Sequence, residues 1–448
     1  MSAPPTPVAG PPPGRPFRDR LGPFRHGPFT IYWTGGFLSN VGTWLQTVAA
    51  SVYVFQLTGS AFAVGLLNFA SFLPIFLFSI AGGVIGDRFD RRTVVIATHA
   101  VSGGLATILA AVSFAGGASE TAVIVIAFLL NTSYAVAKPA LVSILPAIVP
   151  RDEITDAVGI NTLQFVIAQM VGPVLAAILI GTVGVSWAFA VNAVSYLAPI
   201  LAMLELRRRG LAAGRADRGG VSSTAGGVSR RAAGAVAYVR EHRWVVAVLF
   251  GVVACSAPLE VVRTLSPAIA QQLGEPESVA GLLIAAQSVG SAVALLAFVP
   301  LRRSGHARTL VSVGLGLEAV GLALTIVAPG LPVAWLAGNF LGFGFSLSFP
   351  VLTSTLQAEV PDAVRGRIMS FHQMFHLGNR PFAALAAGAA ATIVTAQAAV
   401  AVGLALIPVG LVAARRAWRG LDAADPDAEE ELDTWLATEH PALEPRPD

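Results

Sequence analysis

The chain has 448 residues, of which 54% are hydrophobic and only 12% charged, with a formal net charge of +3. That is about half the charge of an ordinary soluble domain, too little polar surface to keep a chain of this length dissolved. The balance excludes a soluble globular protein and makes no case for a nucleic-acid partner; one cysteine, Cys255, excludes an intramolecular disulfide.

The first 28 residues are rich in proline and arginine and hold no apolar core. They read as a disordered tail and not as a cleavable signal peptide. A bilayer core of ~30 Å needs ~20 apolar residues per helix. Twelve spans follow by that measure: 29–57, 62–86, 93–115, 120–148, 156–181, 184–206, 244–272, 278–300, 309–328, 332–357, 367–392 and 395–414. The basic, glycine-rich segment 207–243 divides them into two six-helix halves, 29–206 and 244–414. Residues 415–448 form an acidic tail, with Glu429, Glu430, Glu431 and Asp433 and room for a short helix near Leu432 to Leu436.

Arginines occupy alternate loops. One set holds Arg88, Arg91 and Arg92; Arg151; Arg207, Arg208, Arg209, Arg230 and Arg231; Arg302, Arg303 and Arg308; and Arg365 and Arg367. The loops near Thr58, Gly117, Gly181, Glu275, Pro329 and Ala396 hold neither arginine nor lysine. The positive-inside rule then places both termini and the central segment in the cytoplasm. A missed or invented span would break this alternation downstream.

Within the spans, polar and ionisable residues are the functional candidates, since a charge costs ~2.5–3.5 kcal/mol at a helix centre unless paired or wet. Span 1 carries Asn40, Thr43 and Gln46. Between spans 2 and 3 runs GGVIGDRFDRRTVV, 82–95, with Asp87, Arg88, Asp90, Arg91 and Arg92. Arg91 and Arg92 stand at the positive end of the span 3 dipole, against its preference, and Asp87 and Asp90 offset them. His99 in span 3 reads as a hydrogen-bonded packing residue. Span 4 carries Asn131, Tyr134 and Lys138, the last expected to snorkel to the interface. In span 5, Gly159, Ala168, Gly172, Pro173, Ala176 and Ala177 give small residues for close backbone approach and a proline for a kink. In span 7, Glu260 and Arg263 are three apart on one helical face near Pro258: either a proton site or a permanent ion pair. Glu318 in span 9 and Arg380 in span 11 each need a buried partner, and Glu260 or Glu318 are the acids available to Arg380. Asn339 in span 10 and His372, Gln373 and His376 in span 11 are further cavity candidates, with Phe69, Phe72, Phe165 and Phe349 as apolar surface.

The halves repeat. A shift of 211 residues carries Pro139, Leu141, Ser143, Leu145, Ala147, Val149 and Pro150 onto Pro350, Leu352, Ser354, Leu356, Ala358, Val360 and Pro361. A shift of 216 carries Gly65-Leu66-Leu67 onto Gly281-Leu282-Leu283. Parallel halves related by an axis along the membrane normal are the arrangement of the major facilitator fold.

The loop motif strengthens this. Gly83, Asp87-Arg88 and Arg91-Arg92 have the spacing of the signature loop of major facilitator transporters, with Asp90 in place of a glycine. DRFDRR resembles the third drug:proton antiporter family, the branch of macrolide efflux proteins and the enterobactin exporter. Gly159, Gly172 and Pro173 resemble an antiporter motif, with alanine at three glycine positions. LTGSAFAVGLL, 57–67, KPALVSILPAIVPRDE, 138–153, and VPDAVRGRIMS, 360–370, are also family-like. The resemblance implies an all-α membrane protein of twelve transmembrane helices that works by alternating access. It implies that Asp87 and the arginines latch the halves on the cytoplasmic side in the outward-open state. The counterpart LRRSGHAR, 301–308, lacks the acid. Spans 1, 4, 7 and 10 line the cavity in that fold, so Glu260 and Arg263 become the proton-coupling candidates, with Glu318 and Arg380 behind them. Relatives often carry an acid in span 1 where this chain has Thr43.

The expected activity is export of a hydrophobic or amphipathic small molecule, drug- or antibiotic-like, in exchange for protons, from a monomer in the inner membrane. A siderophore or other secreted metabolite is the alternative cargo, and a non-transporting sensor or scaffold is the alternative class. No phosphate-binding loop, metal-ligand cluster or catalytic triad is legible, so no cofactor, metal or enzyme activity is expected.

Overall fold

The structure, a computed structural model, describes residues 21–211, 238–302 and 306–422; the side chains of 76, 79–88, 296–302, 362–363 and 422 lie outside that description. The described residues form twelve long helices and no strand. In the first half these are α1 (Gly27–Thr58), α2 (Ala61–Arg88), α3 (Arg91–Phe114), α4 (Glu120–Ile144), α5 (Ile154–Val183) and α6 (Val185–Arg208, broken at Tyr196). In the second they are α7 (Arg243–Gln272), α8 (Ala280–Arg302), α9 (Ala307–Val327), α10 (Leu331–Glu359), α11 (Asp362–Ala390) and α12 (Ala396–Leu421, in three short pieces).

Nine of these are long and apolar enough to cross a membrane. The described apolar run of α2 is shorter, Ala61–Ile75. Helices α1 and α11 have full length but interrupt their apolar sequence with Asn40, Thr43, Gln46 and Thr47, and with His372, Gln373, His376, Asn379 and Arg380. The predicted ends hold to within a few residues except at the start of span 11, where the helix begins at Asp362 and not at 367, and at the end of the last span. There the helix runs on to Asp422, and Ala417 carries the buried stripe of Ala413 and Ala414 past the expected end at 414.

Sequence signals set the helix ends. Gly59 takes a left-handed φ of 62° to close α1. The Ser119 hydroxyl accepts from Ala122 N–H at the start of α4, and Thr395 does the same for α12. Pro139 and Pro350, matched by the repeat, both lie inside helices, α4 and α10. The matched Pro150 and Pro361 both take extended backbone, with ψ 152° and 146°, at the turn into the next helix. The repeat seen in the sequence is thus a repeat of structure.

At one end of the first half, the start of α1, the α2–α3 and α4–α5 turns and the end of α6 meet. His26 Nε2 lies 3.0 Å from Glu153, and Arg92 donates to the Leu211 carbonyl at 3.1 Å. We call this the arginine end. The described cross-half contacts lie in mid-bundle or towards the opposite end, and two seams close it. In one, Gly65 of α2 lies where an added Cβ would stand 2.7 Å from the Ala384 carbonyl of α11, while Gly388 abuts Ala61. In the other, Gly281 of α8 abuts the Pro173 carbonyl and Ala177 of α5. Gly65 and Gly281 are repeat mates, and the 211-residue shift carries Pro173 to Ala384 and Ala177 to Gly388. One seam is the other rotated about the bundle axis.

Candidate functional site

The α2–α3 turn is built as a helix start. The Asp90 carboxylate caps α3, accepting from Arg92 N–H at 3.0 Å and Thr93 N–H at 3.2 Å, and also receives the Arg92 guanidinium at 2.9 Å. The hydrogen bond from Arg92 is the largest cause that holds the Asp90 carboxyl below its ordinary range. Arg91 reaches the Ser143 carbonyl of α4 at 3.1 Å. The latch between halves, expected in the outward-open state, is not made by Arg91 and Arg92 here. Both bond within the first half, and Asp90, standing for the usual glycine, supplies the cap. The side chains of Gly83, Asp87 and Arg88, and of Arg302 in the second-half counterpart, lie outside the described residues.

Deeper in the bundle, α7 and α11 bring charges, and α8 the Gln287 amide, to the seam with the first half. Arg263 donates from Nε to Gln287 Oε1 at 3.0 Å, and its guanidinium lies 5.7 Å from the ring of Trp44 on α1. Glu260, one turn away and 3% exposed, makes no ion pair with Arg263, and its Oε2 has no partner. Arg263 has turned outward to Gln287 and Trp44, so the expected permanent pair does not form. Arg380 and Arg263 both lie within electrostatic range of Glu260. The Arg380 guanidinium lies 5.4 Å from the ring of Phe72 on α2, and its buried Nε is unbonded.

Lys138 is exposed near the end of α4. A helical side chain leans towards its own N-terminus, and the Lys138 ammonium sits 5.9 Å from the ring of Tyr134, one turn deeper. There it is within electrostatic range of Arg380. His376, one of the span 11 cavity candidates, packs 4.4 Å from Phe349, with its Nδ1 buried and unbonded. His372 meets the Thr353 hydroxyl at 3.0 Å through Nε2, leaving Nδ1 unbonded. Asn379 donates to Ser256 at 2.9 Å and leaves its Oδ1 unbonded. Gln287 was not singled out in the sequence; only its place opposite Arg263 reveals it, and its Nε2 is also an orphan. Buried polar atoms are nearly always satisfied, so this concentration of orphans on three adjoining helices is the candidate site.

The other candidates stand apart. Glu318 is fully buried, with both carboxyl oxygens unbonded, against Gly344 of α10 and near Cys255 of α7. It is not brought to Arg380. In the first half the polar groups satisfy each other or the backbone. Asn40 donates to Gln164 at 3.4 Å, Thr43 to the Ser39 carbonyl at 2.9 Å, and Asn131 to the Ala127 carbonyl at 2.9 Å. Asn192 of α6 bonds Gln46. Asn339 donates to the Trp335 carbonyl at 2.9 Å and presents its own backbone to Gly290. His99 is the packing residue expected, bonded to the Val95 carbonyl at 2.8 Å with Tyr196 against its ring. Of the antiporter-like motif, Gly172 lies where a Cβ would be 2.5 Å from that of Trp44, and Pro173 joins the α5–α8 seam, but Gly159 faces open space.

Comparison with known proteins agrees with this architecture. Residues 19–442 match the family model described as transmembrane secretion effector. The enterobactin exporter of Citrobacter koseri is 26% identical over 394 residues, covering 86% of this chain and 91% of that protein. Macrolide efflux protein A of Streptococcus pyogenes is 28% identical over 151 residues, 34% of this chain and 37% of that protein. Among solved structures, nucleoside transporter NupG (D323A mutant) superposes with TM-score 0.70 at 13% identity, covering 88% of this chain and all of that one. A bacterial homologue of the human lysosomal transporter Spinster, inward-facing and unoccupied, superposes with TM-score 0.67 at 15% identity over 92% of this chain and all of that one. A twelve-helix bundle of two repeated halves, a polar site at their seam and a family match over almost the whole length converge on one assignment: the chain belongs to the transmembrane secretion effector family, and is a membrane transporter of the major facilitator fold, not an enzyme.

Proposed function

We propose that this chain is a secondary exporter that moves a hydrophobic or amphipathic small molecule, drug- or antibiotic-like, against protons by alternating access. The observation that carries the reading is the set of buried, unbonded polar atoms on Glu260, Gln287, His376 and Arg380, next to the aromatic faces of Trp44 and Phe72. Apolar walls suit the cargo's hydrophobic body, and the orphaned groups suit a few directed bonds. In this reading Glu260 binds the transported proton. It has no fixed partner, and two arginines next to it change the balance as cargo enters. The arginine end faces the cytoplasm by the positive-inside rule. The seams at Gly65 and Gly281 then close the outer side, which makes this an inward-facing state.

A second reading of the cargo rests on the charges at the seam. Lys138, Arg263 and Arg380 outnumber Glu260, which favours a substrate with acidic groups, such as a siderophore or secreted metabolite. Proteoliposomes loaded with candidate substrates under an imposed pH gradient test the proposal. Glu260→Gln is expected to abolish gradient-driven export while leaving binding in detergent measurable. Full export driven by the gradient in Glu260→Gln would remove Glu260 as the proton site.

A further inference from the structure

A second cavity lies away from the central site. At the arginine end, an open groove of about 1060 Å³ lies along the first turns of α7 and the last turns of α12, at the top of the ~300–1,000 Å³ of small-ligand pockets. Its walls are Val246, Phe250, Pro408, Val409 and Val412, and its mouth carries Arg240, Arg243 and Arg416. The floor is closed where Gly420 packs on Trp244, leaving room for a Cβ only 2.9 Å from that of the tryptophan. All three arginines are exposed, and no described residue pairs with them. Arg415 and Arg419 extend the charge around the same end of α12, lining a smaller crevice with Trp418 on its other side.

We infer that this groove binds an anionic phospholipid, with its acyl chains against α7 and α12 and its phosphate among Arg240, Arg243 and Arg416. The order of the chemistry along the groove decides the occupant. Apolar walls continue into the span, and unpaired guanidinium groups sit only at the rim. That is the profile of a lipid lying parallel to the helices at the interface. A soluble anion would use the rim and leave the walls bare. An ordinary interfacial arginine needs no groove behind it. Guanidinium forks match phosphate oxygens, and basic pockets between transmembrane helices select anionic headgroups.

The test uses the full chain in nanodiscs of equal phosphatidylglycerol, phosphatidylethanolamine and phosphatidylcholine, with retained lipid counted by native mass spectrometry. The expected result is enrichment of phosphatidylglycerol, reduced about fivefold by each of Arg240→Gln, Arg243→Gln and Arg416→Gln. Val412→Trp fills the groove and keeps every arginine; it is expected to abolish the enrichment as fully as the triple arginine variant. Enrichment unchanged in Val412→Trp would reduce the site to rim electrostatics and overturn the proposal. So would displacement of the bound lipid by inorganic phosphate at millimolar concentration. Enrichment seen only after removal of residues 423–448 would assign the groove to the acidic tail instead. Because the groove is apart from Glu260, a failure here leaves the exporter reading standing, and a loss of proton coupling in Glu260→Gln leaves lipid enrichment intact.

Discussion

Residue spacing gives the possibility of a contact, and side-chain reach decides it. Glu260 and Arg263 are correctly placed on one face of α7, as three-residue spacing requires. The long guanidinium stem nonetheless turns to Gln287 and Trp44, 24 and 219 positions away in the chain. Charge-assisted hydrogen bonds contribute ~1.5–3 kcal/mol. Arg263→Ala is therefore expected to raise the transport KM by roughly 10- to 100-fold, because it leaves Gln287 without a partner at either end of its amide. Arg263→Lys keeps the charge without the Nε bond and is expected to recover only part of the loss. Transport rates across a substrate series check both; an unchanged KM in Arg263→Ala would remove Arg263 from the binding surface. Lys138 gives the complementary lesson. Its place near the end of α4 suggested a chain reaching out to water; it is exposed, and the lean of helical side chains also brings its ammonium within 5.9 Å of the Tyr134 ring and within electrostatic range of Arg380.

At the scale of the element, the α2–α3 turn joins local and long-range roles. Asp90 starts α3, and Arg91 and Arg92 tie that start to α4 and to the end of α6. Loss of a capping carboxylate costs ~0.5–2 kcal/mol. Asp90→Ala is expected to lower the thermal midpoint in detergent by a few degrees, whereas Asp90→Asn keeps the cap and loses only the ion pair. The pH dependence has a definite sign. The folded state holds the Asp90 carboxyl below its ordinary range, so its contribution is complete above about pH 4 and is lost as pH falls through the depressed value. The difference between parent and Asp90→Ala midpoints should therefore be constant from pH 7 to pH 5 and shrink at lower pH. A difference that persists undiminished at pH 2 would show that the cap, and not the charge, carries the effect.

At the scale of the molecule, two rotated seams hold one end of the bundle shut. Gly65 and Gly281 admit helix backbones so closely that any side chain must push the halves apart. Overpacking of this kind costs ~1–3 kcal/mol. Gly65→Leu and Gly281→Leu are expected to open this end, raising labelling of a cysteine at Thr264, behind the Asn68–Thr264 bond, by a membrane-impermeant maleimide from that side by roughly 5- to 100-fold in a C255A background. Equal labelling in parent and variants would show that the seams do not control closure. Much of this molecule was legible in its sequence. Apolar run length fixed the number of helices, because a bilayer of given thickness admits few solutions. The prolines and glycines of the repeat gave the pairing of the halves, because these residues act through local backbone geometry. What each charge meets was not legible. Glu318 and Arg380 do not find each other, Gln287 gave no signal of its own, and Arg91 and Arg92 bond within one half. Those outcomes depend on which helix faces which and at what height. Only the packed bundle decides that, since a side chain's partner is set by distances across helices and not by position along one.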